Sequence, residues 1–369
     1  MGAEHLEDFR ADVARFLAES QASGIACPAF GAIVPPDLFP AARAWQAHCF
    51  AEGWAALHWP VEHGGRGLSR AHTAVWFEEC ARAEVAPYLN LQGLVLAAEA
   101  ILRSGSEAQK SRFLPATASA EVVWCQLFSE PGAGSDLGGL QSRAVRDGDN
   151  YVLNGQKVWC SNGQFADFGI LMARTSTDLP KHKGISFFLF DMTLDGTEVR
   201  PLRQMTGDEE FCEVFFTDVA LPADALLGAE NEGWRVAMEV LGDERGAFGE
   251  AGVISFEHRL AEVADLDAAD PVARDTLAAL VAAGGALGSF LRRAGDDPRL
   301  APAAKLMRTE LDADANELAA GLRGAEAMLA GDETDRLLYS PGMRIAGGSS
   351  EIQRNILGER VLGLPREPT

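Results

Sequence analysis

Positive charge is what this chain has least of: 32 Lys and Arg stand against 54 Asp and Glu, a formal net charge of -22 over 369 residues. That balance excludes nucleic acid as a partner, because phosphate backbones are held by clustered cations. Any phosphorylated ligand must instead be met by local N–H groups and a few placed cations. Paired cysteines are missing too. The six, at 27, 49, 80, 125, 160 and 212, form no CxxC and no ladder of short spacings, so they read as reduced packing residues. No apolar run is read as approaching the ~20 residues that span a bilayer. The opening MGAEHLEDFRADVARF is acidic and amphipathic, with no apolar signal core, and the expectation is a cytoplasmic protein without a membrane span. No GxSxG occurs, which removes the nucleophile elbow of a Ser-His-Asp hydrolase. The seven His, at 5, 48, 58, 63, 72, 182 and 258, make no i, i+4 pair with a carboxylate, so no metal is expected. WPVEHGGRGLSR follows no strand and lacks the GxGxxG spacing, and reads as a structural loop, not a dinucleotide fingerprint.

What is present is 47% hydrophobic and arranged in three blocks. From residue 4 to about 118, LEDFRADVARFLAES, ARAWQAHCFAEGW, AHTAVWFEECARAEV and EAQKSRFLPATAS carry apolar residues at three- and four-residue intervals, the helical period. From about 120 to 228 the runs are short and rich in Val, Phe, Leu and Tyr, broken by DGDN, NG, GDEE and Pro, which predicts an antiparallel β domain. DGDNYVLNGQKVW reads as two strands joined by tight turns. From about 230 the helical period returns in roughly four segments, enough for a bundle. The reading is an α+β protein of three domains: 1–118 helical, 119–228 β, 229–369 helical.

Two loops carry the chemistry. In QLFSEPGAGSD, Pro and Gly make an abrupt turn that leaves Ser135 and neighbouring N–H groups free for a ligand. In IAGGSSEIQR, two consecutive glycines remove both Cβ atoms where the chain turns into a helix, which lets a ligand approach the main chain.

The strings SEPGAGSDLGG, NGQKVWCSNG, FCEVFFTDVALP and IAGGSSEIQRNILGERVLGLP occur in the order and approximate spacing of acyl-CoA dehydrogenases, and the chain resembles that family over nearly its whole length. The resemblance implies a helical domain, a middle antiparallel β-barrel or sandwich domain and a C-terminal four-helix bundle. It implies FAD as cofactor, with Gln126, Leu127 and Ser129 along the flavin, Trp159 and Ser161 against it, and Gly347, Gly348, Ser349 and Glu351 at its adenosine part. Ser135 is expected to contact an acyl-CoA substrate. The family removes the α proton of a thioester and passes the β hydrogen as hydride to the flavin. In many members the base is the glutamate of a Tyr-Glu-Gly-Thr string, but here the matching residues are Ala346, Gly347, Gly348 and Ser349, and that base is missing. A minority carries it in a Leu-x-x-Glu-Arg string, which matches Leu241 to Arg245. Glu244 is then the expected catalytic base, with Arg245 beside it as a substrate or structural contact.

Two departures accompany the missing base. The family's Arg-x-x-Phe-Gly segment is absent, LAEVADLDAADPVARD standing in its place, and its Leu-Gly-Gly-Asn-Gly has become LRGAEAML with Gly324 left. Members altered in this way resemble subunits of heteromeric enzymes acting on bulky thioesters such as steroid side chains. The expected partners are therefore an electron-transfer flavoprotein or similar acceptor and further subunits in a homo- or hetero-oligomer. A same-fold flavin oxidase, a carrier-protein desaturase and a non-catalytic partner subunit are the alternatives.

Overall fold

The structure, a computed structural model, describes residues 3–31, 33–246, 249–266, 270–294, 297 and 299–365; the side chains at 3, 4 and 242–250 fall outside that description. The chain divides into two compact units, residues 1–76, 83–204 and 208–243 in the first and 77–82, 205–207 and 244–369 in the second.

The first unit begins with helices α1 (Ala3–Ser23), α2 (Phe39–Ala51), the first half of α3 (Arg70–Arg82, whose residues from 77 on are counted in the second unit), α4 (Ala98–Ser104) and α5 (Glu107–Ala118). Their apolar faces enclose Trp45, Trp59 and Trp76, each at most 1% exposed. WPVEHGGRGLSR is a closed structural loop: Gly67 N–H donates to Trp59 O at 2.9 Å and Leu68 N–H to Leu57 O at 3.0 Å. The helices are tied to the β domain by Asn90, whose amide donates to Trp124 O and accepts from Trp124 N–H, both at 2.9 Å. Such reciprocal side-chain bonds replace the ladder partners that an edge strand lacks.

The β domain contains β1 (Trp124–Leu127), β2 (Arg143–Asp147), β3 (Asn150–Ser161), β4 (Phe168–Arg174), β5 (Ile185–Asp191), β6 (Thr197–Leu202), β7 (Phe211–Leu221) and β8 (Leu226–Leu227). The sheet order is β6-β7-β3-β2-β4-β5-β8, with β1 paired to β4. Most pairs are antiparallel as expected, but β1 runs parallel to β4, which brings it against a strand distant in sequence. The alternating inward residues, among them Leu127, Leu153, Phe188, Phe190, Val214 and Val219, form the core, and Cys125, Cys160 and Cys212 are free thiols within it.

The expected hairpin at Asn154-Gly155 is not there. β3 runs straight through it, with a register irregularity against β7 between Leu153 and Gly155. The reason is close approach: a Cβ on Gly155, at φ +150°, would lie 2.3 Å from Ser142 Oγ. The glycine serves strand packing, not a turn. The other expected turn, in DGDN, does form, joining β2 to β3 with Gly148 at φ +61°.

The second unit is a helical bundle. α6 (Gly233–Gly246) leads out of the β domain, followed by α7 (Gly249–Ala264), α8 (Pro271–Ala294), α9 (Ala301–Arg323), α10 (Asp332–Ile345) and α11 (Ser350–Ile356). α9 packs against α7, α8, α10 and α11, and Phe256, Leu260, Leu280 and Ala315 fill the centre. The four long helices α7 to α10 match the expected bundle. α8 is nevertheless long and apolar enough, by length and composition, to cross a membrane, which corrects the expectation of no such run; it lies in the bundle between α7 and α9.

Candidate active site

The residues expected along a flavin are carried by β1 and β3, whose C-terminal ends meet. β1 alternates: Leu127 is fully buried in the sheet core, so it has main-chain atoms alone to offer a ligand, whereas Gln126 and Ser129 are half-buried. Ser129 O accepts the N–H of Val158 at 3.0 Å, which places the end of β1 beside the end of β3. There β3 carries a bulge: Lys157 pairs with Val214 and Cys160 with Cys212, so three steps on β3 match two on β7. The extra residue sits where Trp159 adopts φ +61°. A left-handed conformation in a bulky residue costs roughly 1–3 kcal/mol and persists where the surroundings impose it. Here it turns the indole outward, 60% exposed, with Phe211 edge-on at 6.0 Å. Ser161, two residues on and half-buried, shares that outward face.

An uncovered indole held out by a strained bulge, with the Ser161 hydroxyl on the same strand and the half-buried Gln126 and Ser129 on the adjoining β1 segment, fits a planar aromatic ring with polar edges. Next to it Asn162, at φ +52°, is 6% exposed, and its side-chain oxygen has no hydrogen-bond partner among the described residues. These residues fit a flavin.

Ser135 lies apart, exposed in the loop after β1. The two glycines there are not what bends it. Gly132 and Gly134 have no left-handed φ and open space around them. The turn is closed by paired bonds between Glu130 and Ala133, both at 3.0 Å. Sequence reasoning missed what anchors this loop. The Glu130 carboxylate, 7% exposed as a residue, accepts from Gln141 N–H at 2.6 Å, Ser142 N–H at 2.9 Å and Lys157 Nζ at 2.8 Å. Burial pushes its pKa up, but the Lys157 ammonium and the backbone donors hold it below the usual carboxylate range. The available signal was a lysine at an inward position of an apolar strand. Glu210, at the start of β7, was missed as well: burial and nearby Asp208 raise its carboxyl to about 7.

In the second unit Gly347 and Gly348 take φ +64° and +96°, left-handed conformations that the lack of a Cβ permits, just before α11 begins. Lys305 Nζ donates to Gly348 O at 2.9 Å, and the Gln353 amide to Gly347 O at 2.8 Å. Ser349 is committed to capping α11 by accepting from Ile352 N–H at 3.4 Å, and Glu351 is exposed. Lys305, Arg344 and Arg354 gather near this turn, Lys305 donating to Arg344 O and the two arginines ion-paired to Glu310. Glu244 and Arg245 are on α6, but their side chains lie outside the described residues. A cavity of about 530 Å³ between α8 and α9, lined by Ala279, Ala283, Leu311 and Leu318, includes none of the expected site residues. No group of three or more His, Cys, Asp or Glu able to hold a metal exists among the described residues.

Helical domain, β domain with an uncovered aromatic ledge, and helical bundle are the architecture of a flavin-dependent dehydrogenase. Models of the acyl-CoA dehydrogenase N-terminal, middle and C-terminal domains match residues 3–121, 125–219 and 231–362. The chain belongs to the acyl-CoA dehydrogenase family, and is an FAD-dependent oxidoreductase. It is similar to acyl-CoA dehydrogenase IpdE1 of Mycobacterium tuberculosis (strain ATCC 25618 / H37Rv), 38% identical over 383 residues covering 99% of each chain. Among solved structures it is similar to the Tcur3481-Tcur3483 steroid ACAD, with TM-score 0.84 and 26% identity over 100% of this chain and 99% of that one. It is also similar to a chain of the ChsE4-ChsE5 complex from Mycobacterium tuberculosis, with TM-score 0.81 and 30% identity over 100% and 99%.

Proposed function

We propose that this chain introduces a double bond between Cα and Cβ of a bulky or branched acyl-CoA thioester, with Glu244 as the base, as one subunit of a hetero-oligomer. The observation that carries the reading is Gly347. It stands where many family members place the catalytic glutamate, and nothing lies within 4 Å of where its Cβ would be. Position 347 therefore supplies no carboxylate, and the reading takes the proton acceptor from another element. Glu244 on α6 is the matching residue of the family's other arrangement.

FAD, when bound, supplies the hydride acceptor for the β hydrogen. The protein's own groups do the rest. Glu244 takes the α proton, and the C–H electron pair becomes the new Cα–Cβ bond as the β hydrogen leaves. An α proton beside a thioester is a weak acid, so this step needs a carboxylate within about 3 Å and donors for the developing enolate oxygen. Gln126, Ser129, Trp159 and Ser161 would hold the flavin ring, the turn at 347–351 its adenosine part, and Ser135 the acyl-CoA. A bulky acyl group is supported by the small residues 346–348 and by the steroid ACAD resemblance. A hetero-oligomer is supported by resemblance to the ChsE4-ChsE5 complex and by the two family segments, Arg-x-x-Phe-Gly and Leu-Gly-Gly-Asn-Gly, that this chain does not keep. An electron-transfer flavoprotein is the proposed acceptor.

The altered 324–328 segment favours a second reading, in which the chain completes a partner's flavin site without turnover of its own. That stretch is a short 3-10 helix with Met328 85% exposed. Anaerobic titration with straight-chain, branched and steroid-type acyl-CoA thioesters, read by flavin absorbance, tests both. Bleaching by a bulky thioester in the wild type and its loss in Glu244→Gln are expected. Bleaching retained at wild-type rate in an assembled complex containing Glu244→Gln refutes the base and selects the second reading.

A further inference from the structure

We propose that Lys157 is a positioning residue, which with Glu130 clamps the loop bearing Ser135 to the strand end bearing Trp159 and Ser161. The proposal rests on the reading above of Gln126–Ser129, Trp159 and Ser161 as flavin contacts and Ser135 as a thioester contact. Lys157 lies two residues before the indole, and its side chain is completely buried. Its ammonium donates at 2.9 Å to Phe128 O and at 2.8 Å to Glu130 Oε1. One residue on, Val158 N–H donates to Ser129 O. Side chain and main chain together therefore tie residues 157 and 158 to residues 128, 129 and 130.

Glu130 carries the tie across the loop. Its other bonds, from Gln141 and Ser142 N–H, close the neck through which residues 131–140 leave and return. The far side of the loop is held by Arg174, which donates to Gly138 O at 2.9 Å and to Leu140 O at 3.2 Å. The loop is thus fixed at its neck and its return limb, and Ser135 projects from the segment between them.

Burying an ammonium and a carboxylate costs more than burying a well-packed apolar pair, so stability alone is a poor reason to place them here. Their geometry supplies something an apolar pair cannot. A single cation with several donors fixes a main-chain carbonyl and a carboxylate at once, and that carboxylate fixes two further N–H groups. This pins three backbone segments, 128–130, 141–142 and 157–158, at one point. Misplacement by about 1 Å of groups that position a substrate can cost roughly a hundredfold in rate.

The test compares the full-length enzyme with Lys157→Met, Glu130→Gln and the double variant, by hydrogen exchange with and without FAD, thermal unfolding and steady-state kinetics. In Lys157→Met, exchange at the Gln141, Ser142 and Val158 amides is expected to rise at least tenfold with or without FAD. KM for the acyl-CoA should rise roughly tenfold or more. The double variant removes both charges and should recover thermal stability without recovering KM. Recovery of both together would make the pair a stabiliser of the fold and overturn the proposal. If either single variant does not fold, the double variant, which leaves neither charge unpaired, carries the test, and a wild-type KM in it overturns the proposal equally. The underlying flavin reading fails separately: FAD added to the wild type would then protect neither 126–130 nor 157–161 from exchange, while the Lys157→Met effect on 141 and 142 would persist.

Discussion

Replacing Glu210 by Gln should stabilise the protein, and by an amount that depends on pH. The Glu210 residue is 8% exposed and has no cation partner among the described residues; burial first, then Asp208, raises its carboxyl to about 7. An acid whose pKa is raised by folding is stabilising to protonate and destabilising to ionise in the native state. Below about 4.5 the group is protonated in folded and unfolded chains alike, and the substitution is neutral. Between about 4.5 and 7 the unfolded chain ionises and the native one resists, so the cost of the carboxylate grows with pH. Above 7 it is fully present, about 3 kcal/mol from the difference between 4.5 and about 7. Glutamine mimics the protonated form and escapes this cost. The expected gain for Glu210→Gln is under about 1 kcal/mol at pH 5 and about 3 kcal/mol at pH 8. Urea unfolding of the two proteins side by side at each pH reads it, since every other titration cancels in the difference. A gain independent of pH, or a loss at pH 8, would show that the Glu210 carboxylate is not held unfavourably. Because Glu210 O accepts the N–H of Asn162 at 2.8 Å, the destabilised carboxylate is anchored one residue from Ser161.

Trp159→Ala separates ligand from fold: with the indole 60% exposed, stability of the flavin-free protein should change by less than about 1 kcal/mol. FAD affinity, measured by quenching of flavin fluorescence, should nevertheless fall tenfold or more, about 1.4 kcal/mol. Gly163→Ala does the reverse. Its Cβ would lie 2.4 Å from Cys212 Sγ in the sheet core, so thermal unfolding should show a loss of about 1–3 kcal/mol. Gly134→Ala, which meets open space in the Ser135 loop, is the matched control and should shift stability by less than about 0.5 kcal/mol.

The alternation of helical, strand and helical periods was legible because it is local: LEDFRADVARFLAES writes its own amphipathic face, as ISFFLFD writes a buried strand. What escaped the sequence depends on partners far along the chain. Asn154-Gly155 has hairpin chemistry, yet Ser142 occupies the space a side chain there would need, so the dipeptide became a strand irregularity. Parallel pairing of β1 with β4 is likewise invisible to a local pattern, since strand composition does not name its neighbour.

The same distinction runs through the candidate site. Its motifs were legible as strings, and Gly347 and Gly348 do stand where the chain turns into a helix, but the left-handed φ of Trp159 was not written in them. The physical bond between two of the strings was not legible either. Glu130 of SEPGAGSD and Lys157 of NGQKVW stand 27 residues apart, and each in isolation reads as an ordinary polar residue. Folded, they meet out of water, where an unpaired charge would be severely destabilising and a paired one is held in a single geometry. Sequence therefore shows which residue types a flavin and a thioester require, whereas fixing those residues against one another falls to a contact that exists only once β1 and β3 lie side by side.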